Sequence, residues 1–380
     1  MQKVWEFSKK ETVLCIAGVL AVGSMLLVPP SAAYVGYIDF RVLGLLFCLM
    51  TVVAGLQGCG VFTKLAHQVV GRAKSLRSLC RALVLLCFFS SMLITNDVAL
   101  ITFVPFGIMV LSLIGQRSCL IWLVVLQTVA ANLGSMLTPF GNPQNLYLYA
   151  QYNMGLGRFF ALTLPIAALS LVLLLLLVQV IPAEPVQLAL QEEATCSDRR
   201  RLTGYLVLGV VSILTVFRVL PWQAAVAVVL LWALLLDRPV LRQVDYCLLL
   251  TFVCFFVFIG NMGQLEAVRV LVSQVLTGRE VVASALLSQV ISNVPAAVML
   301  SGFTQEGAAL VVGTNIGGLG TLIASLASLI SFKFYSRLPD AQSGRYLAVF
   351  TAVNFALLIL LLPGGVLLEQ YISQALIIIM

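Results

Sequence analysis

The sequence predicts an all-α polytopic membrane protein: an inverted-topology repeat with two re-entrant hairpins, two discontinuous helices, about nine crossings and a cytoplasmic N-terminus. Three observations predict it. Of the 380 residues, 61% are hydrophobic and only 10% charged, against about 25% charged in a soluble chain. Two polar stretches interrupt apolar runs in one shared frame. The Lys and Arg residues fall overwhelmingly on one side of the path those runs trace.

The first stretch, Ala131 to Asn145, carries Gly134, Gly141, Pro139, Pro143, Asn132, Asn142 and Asn145 at a depth where a membrane helix should continue. Proline removes a backbone donor and glycine weakens a helix interior. Broken backbone at that depth is tolerated only where it is buried in protein or lines a wet cavity. The second stretch, Thr314 to Ser328, repeats the frame: Asn132, Gly134 and Thr138 fall on Asn315, Gly317 and Thr321, and Asn142 and Asn145 fall on Ser325 and Ser328. Each stretch follows another polar break, Thr95-Asn96-Asp97 in the first half and Ser292-Asn293 in the second. Paired interruptions in two halves of a membrane protein point to a transporter's site.

In chain order, the first span is Glu11–Val28, closed by Pro29-Pro30, and the second is Val42–Val61. Lys3, Lys9 and Lys10 before the first span resemble a signal peptide, but no A-x-A site follows, so a retained first helix is expected. A basic segment (Lys64, Arg72, Lys74, Arg77, Arg81) leads to a hairpin over 82–114, then a discontinuous helix over 119–149 and a span over 159–181. These make a first repeat, 1–181. Residues 182–201, with Arg199-Arg200-Arg201, read as a cytoplasmic linker, and 202–219 as a connecting span. The second repeat, 220–380, holds spans at Trp222–Leu236 and Tyr246–Asn261 and an amphipathic interfacial segment at Gly263–Glu280. A hairpin over 281–312, a discontinuous helix over 313–331, a basic loop and a last span over 346–368 follow. With the N-terminus inside and both hairpins re-entrant, only Arg41, Arg158, Arg218, Arg269 and Arg279 of the 22 basic residues lie outside. That asymmetry satisfies the positive-inside rule, and a spanning hairpin would spoil it. The net charge of +7 is therefore topology and implies no nucleic acid.

The four breaks would carry Thr95, Asn96, Asp97, Asn132, Thr138, Asn142, Asn145, Ser292, Asn293, Asn315, Thr321 and Ser325 toward the midplane. Neutral oxygens suit a partly dehydrated Na⁺, and half-helix N-termini suit an anion. The competing reading is that these residues only cap broken helices. Asp97 is a carboxylate between apolar runs, where such a group is expensive and usually functional. It could bind a cation, carry a proton or cap a helix, and Val294 stands at its place in the second half. His67 and the other acids sit in loops or at span ends. The nine cysteines form no CxxC or Cys/His pattern, so neither zinc nor a disulfide framework is supported. No Walker motif, H-E-x-x-H or triad pattern appears, and no enzyme and no cofactor are expected.

Thr95-Asn96-Asp97-Val98-Ala99-Leu100, Gly141-Asn142-Pro143-Gln144-Asn145, Ser292-Asn293-Val294-Pro295-Ala296 and Asn315-Ile316-Gly317-Gly318 resemble the signatures of the ion transporter superfamily. That group includes the arsenite permeases and the divalent anion:sodium symporters. The likeness is strongest to the arsenite-permease-like branch with its small YbiR-type inner-membrane permeases. The resemblance implies a scaffold and a transport domain in the lipid bilayer, a homodimer with an elevator-like motion, and Na⁺ as a coupling ion, here at Asn96, Asn142 and Asn145. It implies two half-sites: Asn96, Thr138, Asn142 and Asn145 in one, Asn293, Asn315, Thr321 and Ser325 in the other. Two departures are visible. Dicarboxylate carriers place Ser-Asn-Thr at both tips, where this chain has Thr95-Asn96-Asp97 and Ser292-Asn293-Val294. The second broken helix has Ala324-Ser325-Leu326 where relatives often carry Gly, Ser or Asn followed by Pro. The expected function is secondary active transport of a small anion or oxyanion, arsenite-like or carboxylate, coupled to Na⁺ or H⁺ in a bacterial inner membrane. The alternatives are a cation/proton antiporter working through Asp97 and, from another class, a channel or membrane sensor.

Overall fold

A computed structural model describes residues 11–71, 73–186 and 199–379. Lys3, Lys9, Lys10, Arg72 and residues 187–198 of the expected linker lie outside the described residues. The described chain is helical apart from turns and one isolated bridge between Ser75 and Pro185. The expected all-α membrane architecture with two hairpins and two discontinuous helices is the one observed.

The first half runs α1 (Thr12–Met25), α2 (Ala33–Tyr37), α3 (Phe40–Gly58), α4 (Val61–Val70), α5 (Leu76–Ile94), α6 (Asn96–Leu113), α7 (Leu120–Ser135), α8 (Pro143–Gln151) and α9 (Leu156–Val178). Helix α10 (Arg199–Val216) connects to α11 (Trp222–Leu236), α12 (Tyr246–Gln264), α13 (Glu266–Leu276), α14 (Glu280–Ile291), α15 (Asn293–Ser301), α16 (Gly307–Ile316), α17 (Leu326–Ser336) and α18 (Ser343–Ile379).

Seven of these helices are long and apolar enough to cross a membrane unaided, including both arms of the first hairpin, whereas α1, α11 and α16 are shorter apolar helices. Length alone therefore does not yield the nine crossings traced from the sequence.

The first hairpin begins at Leu76, six residues before its expected start. Ser75 caps it: Ser78 N–H donates to Ser75 Oγ at 3.3 Å, and Ser75 N–H donates back to Ser78 Oγ at 3.0 Å. The basic residues Arg77 and Arg81 are helical because long side chains can lie along the apolar wall with their charges at the interface. The two feet of this hairpin share one anchor. Leu76 N–H donates to Glu184 O at 2.8 Å, and Gln116 Nε2 donates to Glu184 Oε2 at 2.9 Å. The chain thus enters and leaves this hairpin at the same end. Arg77, which donates to Ile181 O, and the Arg117–Asp340 pair lie at that end too.

The second hairpin stops at Ser301, and the residues to 312 that the sequence had assigned to it open the discontinuous helix at Gly307 instead. The reason is the turn over 302–306, which Tyr152 fixes by donating its hydroxyl to Ser301 O and Thr304 O at 3.3 and 2.9 Å. Helix α13 meets α14 at 110°, as an interfacial arm feeding a hairpin would. Helix α4 is its unexpected counterpart in the first half. Gly60, at φ 69°, ends the second span early, and Ala66 and Val70 of α4 are buried while Lys64 is exposed.

Helix α1 packs on α12, and α3 packs on α10 and α11. The latter three enclose a small apolar cluster of their own that includes Cys48, Val52, Tyr205 and Val229. Tyr205 donates to Asp237 Oδ2 at 2.5 Å, and Arg201 pairs with the same oxygen. The hairpins and broken helices supply most of the larger core.

Candidate functional site

The hairpin tips share an unusual backbone. Thr95 has φ 69° and ψ 150°, and Ser292 has φ 76° and ψ 154°. This region is essentially reserved for glycine and costs a side-chain-bearing residue of order 1–3 kcal/mol. The neighbours hold each tip there. Asn96 N–H donates to Gly141 O at 3.2 Å, and Asn293 N–H donates to Ala324 O at 2.9 Å. Thr138 Oγ1 donates to Met92 O at 2.6 Å, and Thr321 Oγ1 donates to Gln289 O at 2.8 Å. Each tip is thus fastened to its own broken helix by the same pair of bonds. Gly134 and Gly317 let the two approach: a Cβ on Gly134 would lie 2.1 Å from Phe88 O, and one on Gly317 would lie 2.7 Å from Ala285 Cα.

The halves are then stitched to each other. Asn315 Nδ2 donates to Asn145 Oδ1 at 2.6 Å, and Asn132 Nδ2 donates to Ser328 Oγ at 3.3 Å. Asn142 Nδ2 donates to Asn315 Oδ1 at 3.5 Å, and Ser325 Oγ donates to Asn132 Oδ1 at 3.0 Å. Asn132 Oδ1 also accepts from Asn96 Nδ2 at 3.1 Å. Asn96, Asn132, Asn142, Asn145, Ser292, Asn293, Asn315 and Ser325 are all buried. Ser292 Oγ turns to Asn293 Oδ1 and Ala324 O, both at 3.5 Å.

Four half-helices, α6, α8, α15 and α17, start at this lattice. Their N-cap residues are Thr95, Asn142, Ser292 and Ser325, and none accepts a capping hydrogen bond with its side chain. Ser292 and Ser325 instead bond across the breaks with their hydroxyls, and Asn142 leaves its Oδ1 free. Each uncapped start presents the positive end of a helix dipole, although the Asn96, Asp97 and Asn293 N–H groups are already bonded within the site and Pro143 and Pro295 have none. Asn142 Oδ1 is buried with no hydrogen-bond partner, which is rare enough for a buried acceptor to need an explanation.

Of the twelve residues read from the sequence, Thr95, Asp97, Thr138 and Thr321 are partly exposed. Thr138 and Thr321 spend their hydroxyls bracing the hairpins. Asp97 stands in the first turn of α6, donates its backbone N–H to Asn96 Oδ1 at 3.0 Å, and leaves its own Oδ1 unpartnered. Asn145 is heavily engaged: besides accepting from Asn315, its Nδ2 lies 3.3–3.4 Å from the carbonyl oxygens of Ser135, Met136 and Thr138. Among Asn96, Asn142 and Asn145, the oxygen without a partner is that of Asn142.

Two contributors escaped the sequence reading. Ser328 belongs to the lattice, and the shared frame had already placed it opposite Asn145. Gln289 sits in the hairpin arm three residues before Ser292. Its Nε2 donates to Gly317 O and Leu319 O at 2.9 Å, and its Oε1 accepts from Thr321 N–H at 2.9 Å. It satisfies in the second break the orphan backbone groups that Asn145 satisfies in the first. A polar residue in an apolar arm was the available signal.

A sequence profile of the CitMHS citrate transporter family matches residues 4–308. The chain is 30% identical over 318 residues to the uncharacterized transporter MJ0456 of Methanocaldococcus jannaschii, covering 82% of this chain and 85% of that one. It is 33% identical over 304 residues to the inner membrane protein YbiR of Escherichia coli, covering 78% and 80%. Its fold is similar to the crystal structure of the Alcanivorax borkumensis YdaH transporter, with TM-score 0.58 and 16% identity over 90% of this chain and 88% of that one. On these grounds the protein is a membrane transporter belonging to the CitMHS citrate transporter family, within the ion transporter superfamily.

Proposed function

We propose that this protein is a secondary active transporter of a small anion or oxyanion, arsenite-like or carboxylate, coupled to Na⁺ or H⁺ in a bacterial inner membrane. The observation that carries the reading is the meeting of four uncapped half-helix starts at one buried lattice of neutral amides and hydroxyls. Helix N-termini stabilise an anion through free N–H groups and the dipole. Membership of a transporter family and the inner-membrane relative support the setting.

The same chemistry supplies a reason for coupling. None of the lattice residues is basic, and the acid beside them is Asp97. An anion entering next to a carboxylate in a low-dielectric site meets repulsion of several kcal/mol unless a cation offsets it. A sodium ion taken by oxygens such as Asn142 Oδ1, or a proton taken by Asp97, would provide that offset. Neither ion need act as a cofactor, since each travels with the substrate.

A second reading rests on Asp97 alone. Its Oδ1 has no partner, as a cation/proton exchanger's carboxylate requires, and that reading needs no anion. Transport by the purified protein in liposomes decides between them. Under the main reading, a Na⁺ or pH gradient drives saturable uptake or efflux of labelled citrate, succinate or arsenite, and Asn142→Ala lowers it at least tenfold. Na⁺/H⁺ exchange without any anion, abolished by Asp97→Asn, would establish the antiporter instead. Conductance indifferent to both gradients would contradict both.

A further inference from the structure

We propose that the groove between α4 and α5 is a binding site for one anionic phospholipid of the leaflet on the basic side of the protein. The groove lies on the outer wall of the hairpin and does not depend on what the central lattice transports.

The groove has a volume of about 530 Å³ and is lined by Leu65 of α4 and by Ser78, Arg81, Leu85, Phe89 and Leu93 of α5, among others. Its polarity is graded. Ser78 and Arg81 occupy the foot of the hairpin arm, and everything beyond them except Ser90 is apolar. Phe89 and Leu93 are 51% and 63% exposed, which marks this wall as one that hydrocarbon covers. From Arg81 to Leu93 the helix rises about 18 Å, close to the roughly 15 Å depth of one leaflet of the hydrocarbon core. The groove therefore has the length of an acyl chain and a cation where the phosphate would sit.

Charge complementarity selects an anionic headgroup. Among the described residues Arg81 has neither a hydrogen bond nor an ion pair, and no carboxylate lines the groove. Lys64, next to Leu65 on α4, and Lys74, next to Ala73 in the link between the helices, are exposed neighbours of groove-lining residues. Arg77 is already committed to Ile181 O and Glu184 to Gln116, so Arg81 is the groove-lining cation left to meet a phosphate. Basic pockets between helices on the cytoplasmic side of membrane proteins bind anionic headgroups in this way.

Native mass spectrometry of the full chain in detergent, with phosphatidylglycerol or phosphatidylcholine added at equal concentration, tests the proposal. One phosphatidylglycerol should be retained in preference to phosphatidylcholine. Arg81→Gln should lower that retention about fivefold, the effect of one basic residue at a membrane surface. Ala82→Trp, which fills the groove, should abolish it with Arg81 intact. Equal retention of the two lipids, or unchanged phosphatidylglycerol binding in Arg81→Gln, overturns the proposal. Arg81 is exposed and unpaired, so Arg81→Gln carries the test by itself if Ala82→Trp does not fold.

Discussion

Asn315, at the end of α16, donates its side-chain amide to Asn145 Oδ1, in the first turn of α8, at 2.6 Å. The two residues lie in different halves of the chain, and their bond has a counterpart in Asn132 and Ser328 at 3.3 Å. The two broken helices therefore brace each other by reciprocal side-chain bonds.

Removing one partner should expose that dependence. Asn145→Ala strips the donor from three carbonyl oxygens and the acceptor from Asn315, so it should cost about 1–3 kcal/mol. Asn315→Ala should cost less. A double-mutant cycle on thermal midpoints in detergent should give a coupling of about 0.5–1.5 kcal/mol. Strictly additive losses would show that the contact contributes nothing.

Gln289 should matter as much as any residue of the lattice while touching no transported species. Gln289→Met, the residue type found at the equivalent position Met92, leaves Gly317 O, Leu319 O and Thr321 N–H without their partner. A loss of about 1–3 kcal/mol is expected, together with slower transport. A stable, active Gln289→Met would mean that the second break holds its shape unaided.

The hairpin tips make an opposite prediction. Thr95 and Ser292 adopt positive φ angles that a side chain disfavours. Thr95→Gly should relieve more strain than it adds chain entropy and raise stability by about 1 kcal/mol. Thr95→Val keeps the strain and should not. Equal midpoints for the two variants would show that the tip is not strained.

Much of this site was legible in the sequence because the two halves obey one frame. Asn132 and Asn315, Thr138 and Thr321, and Asn142 and Ser325 play matching structural parts, as their alignment by polar breaks predicted. Less legible were features that break the symmetry or depend on helix ends. The orphan carbonyls of one break are satisfied from the following helix by Asn145, those of the other from a hairpin arm by Gln289. No periodicity encodes that choice. The hairpin's true start at Leu76 was hidden because hydropathy stops at Arg81, whereas the helix stops at its Ser75 cap. Helix α4 was hidden because its exposed polar face made the segment read as a basic loop.

At the end of the molecule that holds both feet of the first hairpin, Arg117 hydrogen-bonds Asp340 at 3.0 Å and holds its carboxyl below the usual carboxylate range. The depressed value means a contribution present above the ordinary Asp pKa and lost as pH falls through the lower folded value. Both groups are exposed, so the contribution should be small and should fade with added salt. Wild type and Asp340→Asn should differ slightly in midpoint near neutrality and converge in acid. A difference that grows on acidification would contradict this sign.

If the transported species bind in the buried lattice, Asn142 Oδ1, the buried amide oxygen there that accepts nothing from the protein, is the atom whose loss should be felt first. The measurement is the thermal midpoint of the purified protein against Na⁺ and a panel of small anions, in wild type and Asn142→Ala. Any species that binds only the folded state raises the midpoint. Wild type should show a saturable rise with Na⁺, or with one anion in its presence, that disappears in Asn142→Ala. An identical rise in both proteins would contradict this and place binding elsewhere.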